Sequence, residues 1–190
     1  MRILLFGVSN VGKTTIGKIL ADKLGFAFYD LDEEVKKCYS ITLEEFVKIG
    51  TIEERDKKRG RIIRSLVEEK TDKVIAITPM SYRVHFEGVL KSDRVVAIEL
   101  RDTAENIFER LVFSNENDCI YKDDDYKNAH MEYYLRDIRE DIDWYGEVYS
   151  IIRNRYDIDN ESPETAVDSL IKRFGLLDMK STSEGYKSRG

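Results

Sequence analysis

A glycine-framed octapeptide near the start of the chain constrains the fold more than any other feature. Gly7-Val8-Ser9-Asn10-Val11-Gly12-Lys13-Thr14 satisfies G-x-x-x-x-G-K-[ST] at every fixed position. Such a loop works only between a strand that ends at it and a helix that starts from it. Both are legible. Residues 2–7 are a short apolar run without alternation, the pattern of a strand buried on both faces. Beyond the loop, Ile16, Ile19, Leu20 and Leu24 recur at helical spacing, and Gly25 ends the helix. The glycines let the backbone curl so that successive N–H groups converge on a phosphate. The helix that follows adds its N-terminal donors and dipole. Gly7, Ser9, Asn10, Val11, Gly12, Lys13, Thr14 and Thr15 are the expected nucleotide contacts. Lys13 reaches the β- and γ-phosphates, and the Thr14 hydroxyl ligates Mg²⁺. The expected ligands are ATP and Mg²⁺.

The rest of the chain alternates strand and helix patterns. Residues 26–31, 73–77 and 94–100 read as strands, with a short fifth at Tyr156-Asp157-Ile158. Helices are expected over 33–38, 43–49 and 52–70, and on the stripe Ala104, Ile107, Phe108, Leu111 and Val112. Another follows on Tyr134, Ile138, Ile142, Tyr145, Tyr149 and Ile152. A last helix opens at Ser162-Pro163, with Pro at its first position. Alternating strands and helices imply a parallel sheet covered on both faces. The expected fold is therefore a three-layer α/β nucleotide-binding domain over residues 1–175. Residues 114–128, rich in Asn and Asp, read as an exposed mobile loop, and 176–190 as a flexible tail.

Composition excludes several classes. The 190 residues are 42 % hydrophobic and 36 % charged, as in globular rather than disordered chains. A formal net charge of −6 without a long basic run argues against a nucleic-acid partner. No stretch approaches the ~20 apolar residues of a membrane span. The apolar run at the N-terminus stops at Val8, too soon for a signal sequence. Cys38 and Cys119 stand far apart without metal-ligand spacing and read as structural thiols of a reducing compartment. A cytoplasmic monomer or weak homodimer acting on a small molecule is expected.

Asp22-Lys23-Leu24-Gly25 matches the D-x-x-G of GTPases, but it lies inside the first helix, and no N-K-x-D guanine signature occurs. Asp30-Leu31-Asp32 is more informative. It lies at the C-terminal end of the second strand, where open α/β sheets bind ligands. Alternate strand residues share a face, so both carboxylates point into one cleft. One can hold Mg²⁺ through water, and the other can bind or position an acceptor hydroxyl. His85 and His130 have no Ser or Cys partner at recognisable spacing, and Trp144 reads as packing.

The phosphate loop continuing as Thr15-Ile16-Gly17-Lys18-Ile19-Leu20-Ala21, then Leu24-Gly25-Phe26 and Phe28-Tyr29-Asp30-Leu31-Asp32, resembles the shikimate kinase family. The likeness is close over residues 3–35, weaker to about 70, and returns near Ser162-Pro163-Glu164. The resemblance implies a five-stranded parallel sheet with a mobile lid at about 114–128, and transfer of the ATP γ-phosphoryl group to a metabolite hydroxyl. It implies that Lys13 and Asp30 are catalytic, that Thr14 and Asp30 hold the metal, and that Asp32, Arg55 and Arg139 bind the acceptor. Looser forms of the same pattern occur in gluconate kinases. The chain departs from the family in three places. Thr78-Pro79-Met80-Ser81 stands where the family keeps three glycines, the lid segment has no Arg between Arg110 and Arg136, and Asp141-Ile142-Asp143-Trp144-Tyr145 replaces R-x-P-L-Y. An arginine-free lid also suits a nucleotide-binding sensor module without efficient turnover.

Overall fold

The first strand, β1 (Arg2–Phe6), is the centre of the molecule, and this explains its lack of alternation. The computed structural model describes residues 1–178. β1 pairs in parallel with β3 (Lys73–Ala76) on one side and β4 (Val95–Arg101) on the other. The sheet closes outward through β2 (Ala27–Asp30) beside β3 and β7 (Asn154–Asp157) beside β4, giving the order β2-β3-β1-β4-β7. All four pairings are parallel. Every β1 residue is buried. Ile3 and Leu5 pack into one core with Ile16, Leu20 and Leu24 of α1 (Lys13–Leu24) and Val167 and Leu170 of α8 (Pro163–Arg173). Leu4 and Phe6 pack into the opposite core. Its other members include Leu31 of α2 (Leu31–Tyr39), Ile63 of α4 (Ile52–Glu68), Phe86 and Tyr149. Each such side chain contributes about 1.5–3 kcal/mol on full burial.

Local chemistry sets the helix ends. Gly12 and Gly25, both left-handed, bracket α1. Capping boxes open α3 (Leu43–Val47) from Thr42 and Glu45, and α4 from Thr51 and Glu54. Ser162 caps α8 ahead of Pro163. The expected five-stranded α/β sandwich is the observed one, with small shifts. β2 stops at Asp30, whose Oδ1 accepts the Asp32 N–H at 3.0 Å and starts α2. Asp32 therefore sits in the first turn of a helix rather than at a strand end, in a turn whose acids Asp32, Glu33 and Glu34 suit the positive end of the dipole.

The segment expected as an open loop is built. After α5 (Ala104–Glu109), β5 (Phe113–Ser114) and β6 (Ile120–Tyr121) form a hairpin, followed by α6 (Asp124–Ala129) and α7 (Met131–Val148). Asn115 Oδ1 accepts from the N–H groups of Asn117 and Cys119, and Asp123 caps α6. The Phe113 ring packs on Tyr121, Tyr126 and Tyr134 at 5.7–5.9 Å. The Asn and Asp content is turn and cap chemistry. Trp144, expected in packing, is 57 % exposed, and Cys38 and Cys119 are exposed free thiols. Leu176, assigned to the tail, is fully buried in the α1–α8 core, while residues 179–190 of that tail lie outside the described residues. Among the described residues, no helix is long and apolar enough to cross a membrane.

Candidate active site

The phosphate loop leaves β1 through Gly7, at φ +139°, a conformation that side chains rarely adopt. A Cβ there would stand 2.5 Å from the Leu100 carbonyl oxygen, so the backbone approach to β4 also requires glycine. Asn10 (φ +58°) and Gly12 (φ +112°) complete the curl, and buried Val11 anchors it to the core. Thr15 is exposed at the start of α1. Lys13 is nearly enclosed. Its ammonium donates to the carbonyls of Gly7 at 2.9 Å and Val8 at 2.7 Å. Burial pushes its pKa down to about 8, opposed by the carboxylates of Asp32, Asp30 and Asp141.

The Thr14 hydroxyl donates to Asp30 Oδ2 at 2.6 Å. A hydroxyl and a carboxylate thus meet beside the loop, the hard oxygen set that suits Mg²⁺ with phosphate oxygens as its remaining ligands. Asp32 Oδ1 is shut off from solvent and has no hydrogen-bond partner. Burial raises the Asp32 pKa, opposed by a hydrogen bond with Thr78 and by Arg59. Lys13, Thr14, Asp30, Asp32 and Thr78 line a cleft of about 410 Å³, roofed by Phe113 and Ile120 of the hairpin. Asp118, at the hairpin turn, accepts the Leu43 N–H at 2.9 Å and faces Lys36, tying the roof to α2 and α3.

Ser9, Asn10, Lys13, Thr14, Asp30 and Asp32 all line this cleft. Gly7, Val11, Gly12 and Thr15 belong to the loop and the first turn of α1 without lining the cleft, and Arg55 and Arg139 lie outside it. The Arg55 guanidinium donates to the carbonyls of Gly50 (2.9 Å) and Ile49 (3.3 Å), bracing the turn before α4. Arg139 pairs with Glu105 at 2.6 Å, both side chains more than half exposed. Neither lines the cleft; each is held by these partners instead.

Other residues come into place only in three dimensions. Arg59, one helical turn beyond Arg55, is buried over the Phe46 ring and pairs with Asp56 at 3.4 Å. Asp56 Oδ2 accepts the N–H groups of Ser81 (2.8 Å) and Tyr82 (3.0 Å), and the Tyr149 hydroxyl accepts that of Met80 at 3.2 Å. Arg110, held by Asp102 at 2.6 Å, donates to the Asn10 carbonyl at 3.4 Å. Asp141 acts on Lys13 from α7. The one signal for Asp56 and Arg59 is their i, i+3 spacing on α4; Arg110 and Asp141 carry none.

A family model described as shikimate kinase matches residues 9–174, almost the whole described chain. The chain belongs to the shikimate kinase family. A shikimate kinase of Thermodesulfovibrio yellowstonii is 38 % identical over 112 residues, which is 57 % of this chain and 62 % of that protein. The chain thus matches somewhat less than two thirds of that relative's length. The solved shikimate kinase of Bacteroides thetaiotaomicron superposes at a TM-score of 0.74 with 19 % identity, covering 92 % of this chain and 98 % of that one. That of Acinetobacter baumannii, solved in complex with shikimate, superposes at 0.65 with 22 % identity and 93 % coverage of both chains. The family relation and the five-stranded fold agree with the sequence reading, and the family is one of shikimate kinase-like phosphotransferases acting on an alcohol group.

Proposed function

We propose that this protein transfers the γ-phosphoryl group of ATP to a hydroxyl of a small metabolite, with shikimate as the leading acceptor. One observation carries the reading. The Thr14 hydroxyl lies 2.6 Å from Asp30, beside buried Lys13 and the unpartnered Asp32 oxygen, so nucleotide and acceptor groups share one cleft. Phosphoryl transfer demands mainly positioning and charge neutralisation. The loop N–H groups and Lys13 cradle the phosphates. Thr14 and Asp30 would hold Mg²⁺, which neutralises charge on the phosphate oxygens when bound. Asp32 accepts the hydrogen of the acceptor hydroxyl and aims its oxygen at the γ-phosphorus. Lys13 leaves the Gly7 and Val8 carbonyls for the phosphates, exchanging two neutral acceptors for charged ones. Lys36, which lines the cleft, and Arg59, which acts electrostatically on Asp32, are cations available to the acceptor side. The protein acts in the cytoplasm as a monomer or weak dimer.

A coupled ADP-release assay with shikimate, gluconate and nucleosides as acceptors tests the proposal. Turnover on shikimate, or on one of the others, at an ordinary kinase rate is the expected outcome. Nucleotide binding without turnover on any acceptor would favour the sensor reading, which rests on the absence of arginine between Arg110 and Arg136.

A further inference from the structure

A second cationic cavity opens at the other end of the sheet. Arg2 begins β1, five residues before Gly7, which sets it roughly 17 Å from the phosphate loop along an extended strand. There the start of β1, the second half of α4 and residues 84–94 enclose a cavity of about 500 Å³. Its polar lining is Arg2, Arg64, Arg94, His85, Ser92 and Glu68.

The arginines in this cavity lack the carboxylate partner that five others have. Arg59, Arg101, Arg110, Arg139 and Arg155 each meet a carboxylate. Arg2, Arg64 and Arg94 have no ion pair among the described residues. Arg2 is decisive because it is only 4 % exposed. One of its terminal nitrogens is spent on the Glu69 carbonyl, and its Nε has no hydrogen-bond partner. His85 Nε2 is also unpartnered, with its nearest acid, Glu53, at 4.0 Å. Burying a guanidinium without full compensation costs several kcal/mol. Buried Arg2 carries that cost, and exposed Arg64 and Arg94 gather beside it around one void in a chain of net charge −6. Glu68 alone opposes them.

We infer that this cavity is a binding site for a small multivalent oxyanion, a phosphate monoester or a dicarboxylate. Guanidinium forks match both groups through paired N–H donors. The Ser92 hydroxyl adds a further donor, and the volume suits a metabolite. The site is separate from the phosphate loop and independent of the proposed transfer reaction.

Calorimetric titration of the full chain with inorganic phosphate, and separately with succinate, tests the inference. The Lys13→Met background removes competition from the phosphate loop. One anion per chain is expected to bind. Arg64→Ala/Arg94→Ala should weaken that binding at least tenfold, and Glu68→Gln should tighten it. Binding of phosphate alone identifies a phosphate-ester site, and of succinate alone a dicarboxylate site; either supports the inference. No binding of either anion, or an affinity unchanged by the double substitution, overturns it. Arg64 and Arg94 are exposed, so the double variant is expected to fold, with circular dichroism as the check. If it does not, the Glu68→Gln titration decides, and unchanged affinity there overturns the inference.

Discussion

Lys13→Met should make the nucleotide-free protein more stable while abolishing nucleotide binding. In the free protein the Lys13 ammonium is buried and its pKa falls from 10.5 to about 8. A shift of that size is worth about 3 kcal/mol against the charged form. Methionine keeps most of the volume and removes the charge. It also removes two donors, leaving the Gly7 and Val8 carbonyls without their partner. At about 0.5–1.5 kcal/mol per hydrogen bond, this loss leaves a net gain of up to about 2 kcal/mol. For a domain of this size, that raises Tm by up to about 8 °C. The pH dependence has a definite sign. The folded pKa lies below the unfolded one, so the penalty is fully present below about pH 8. It is relieved as pH rises toward 10.5, where the folded state has lost a proton that the unfolded chain keeps. Wild-type stability should therefore gain on that of Lys13→Met across this window. Differential scanning calorimetry at pH 7 and 9.5, without nucleotide, makes the comparison. Added Mg·ATP should then raise Tm for the wild type and leave the variant unmoved. An equal or lower Tm for the variant at pH 7, with a gap that does not narrow at pH 9.5, would refute the reasoning.

Four further outcomes are expected. Asp32→Asn should raise the acceptor KM well above tenfold and leave the ATP KM within about twofold in steady-state assays. Burial raises the Asp32 pKa, so wild-type acceptor affinity should weaken on the acid side at a higher pH than for an ordinary carboxylate, a limb absent from the variant. Gly7→Ala forces a Cβ to 2.5 Å from the Leu100 oxygen at φ +139° and should cost about 1–3 kcal/mol in urea denaturation. Arg55→Ala loses only the brace on the Ile49–Gly50 turn, so the acceptor KM should stay within twofold; a tenfold rise would return Arg55 to the acceptor site. Asp56→Ala strips a buried acceptor from two N–H groups and leaves Arg59 unpaired, which should cost about 3–5 kcal/mol by the same denaturation measurement.

The phosphate half of the site was legible because its requirements are local. Gly7 to Thr14 is one uninterrupted segment, and its flanking strand and helix are readable from the periodicities beside it. Thr14 and Asp30 were legible for the same reason, one helix apart on adjoining elements. The acceptor half was not. Arg55 and Arg59 lie on one face of α4, four residues apart, and no spacing rule says that one turns back on its own loop while the other is buried against Asp56. Arg139 on α7 is two residues from Asp141, yet only Asp141 lies within electrostatic range of Lys13. The hairpin was misread because turn and cap residues have the composition of a solvated loop. What distinguishes them is Phe113 and its three tyrosines, brought together from β6, α6 and α7.

The altered segment after β3 shows why the two halves differ in this way. Pro79 has no N–H to satisfy, Met80 is fully buried, and the N–H groups of Met80, Ser81 and Tyr82 are consumed by Tyr149 and Asp56. The backbone here is turned inward to the protein, where a run of glycines would leave it open to a bound molecule. Recognition of the acceptor proposed above then falls to side chains such as Asp32 and Thr78, which line the cleft. Asp56 both fixes the segment and anchors Arg59, so one buried carboxylate couples the loss of the glycines to the position of that cation. A phosphate group is the same in every nucleotide and is read by backbone geometry, which tolerates little change. An acceptor is read by side chains, each of which can be exchanged while the fold stays intact. The phosphate loop therefore carries the family pattern whole, and the departures gather on the side of the cleft that faces the acceptor.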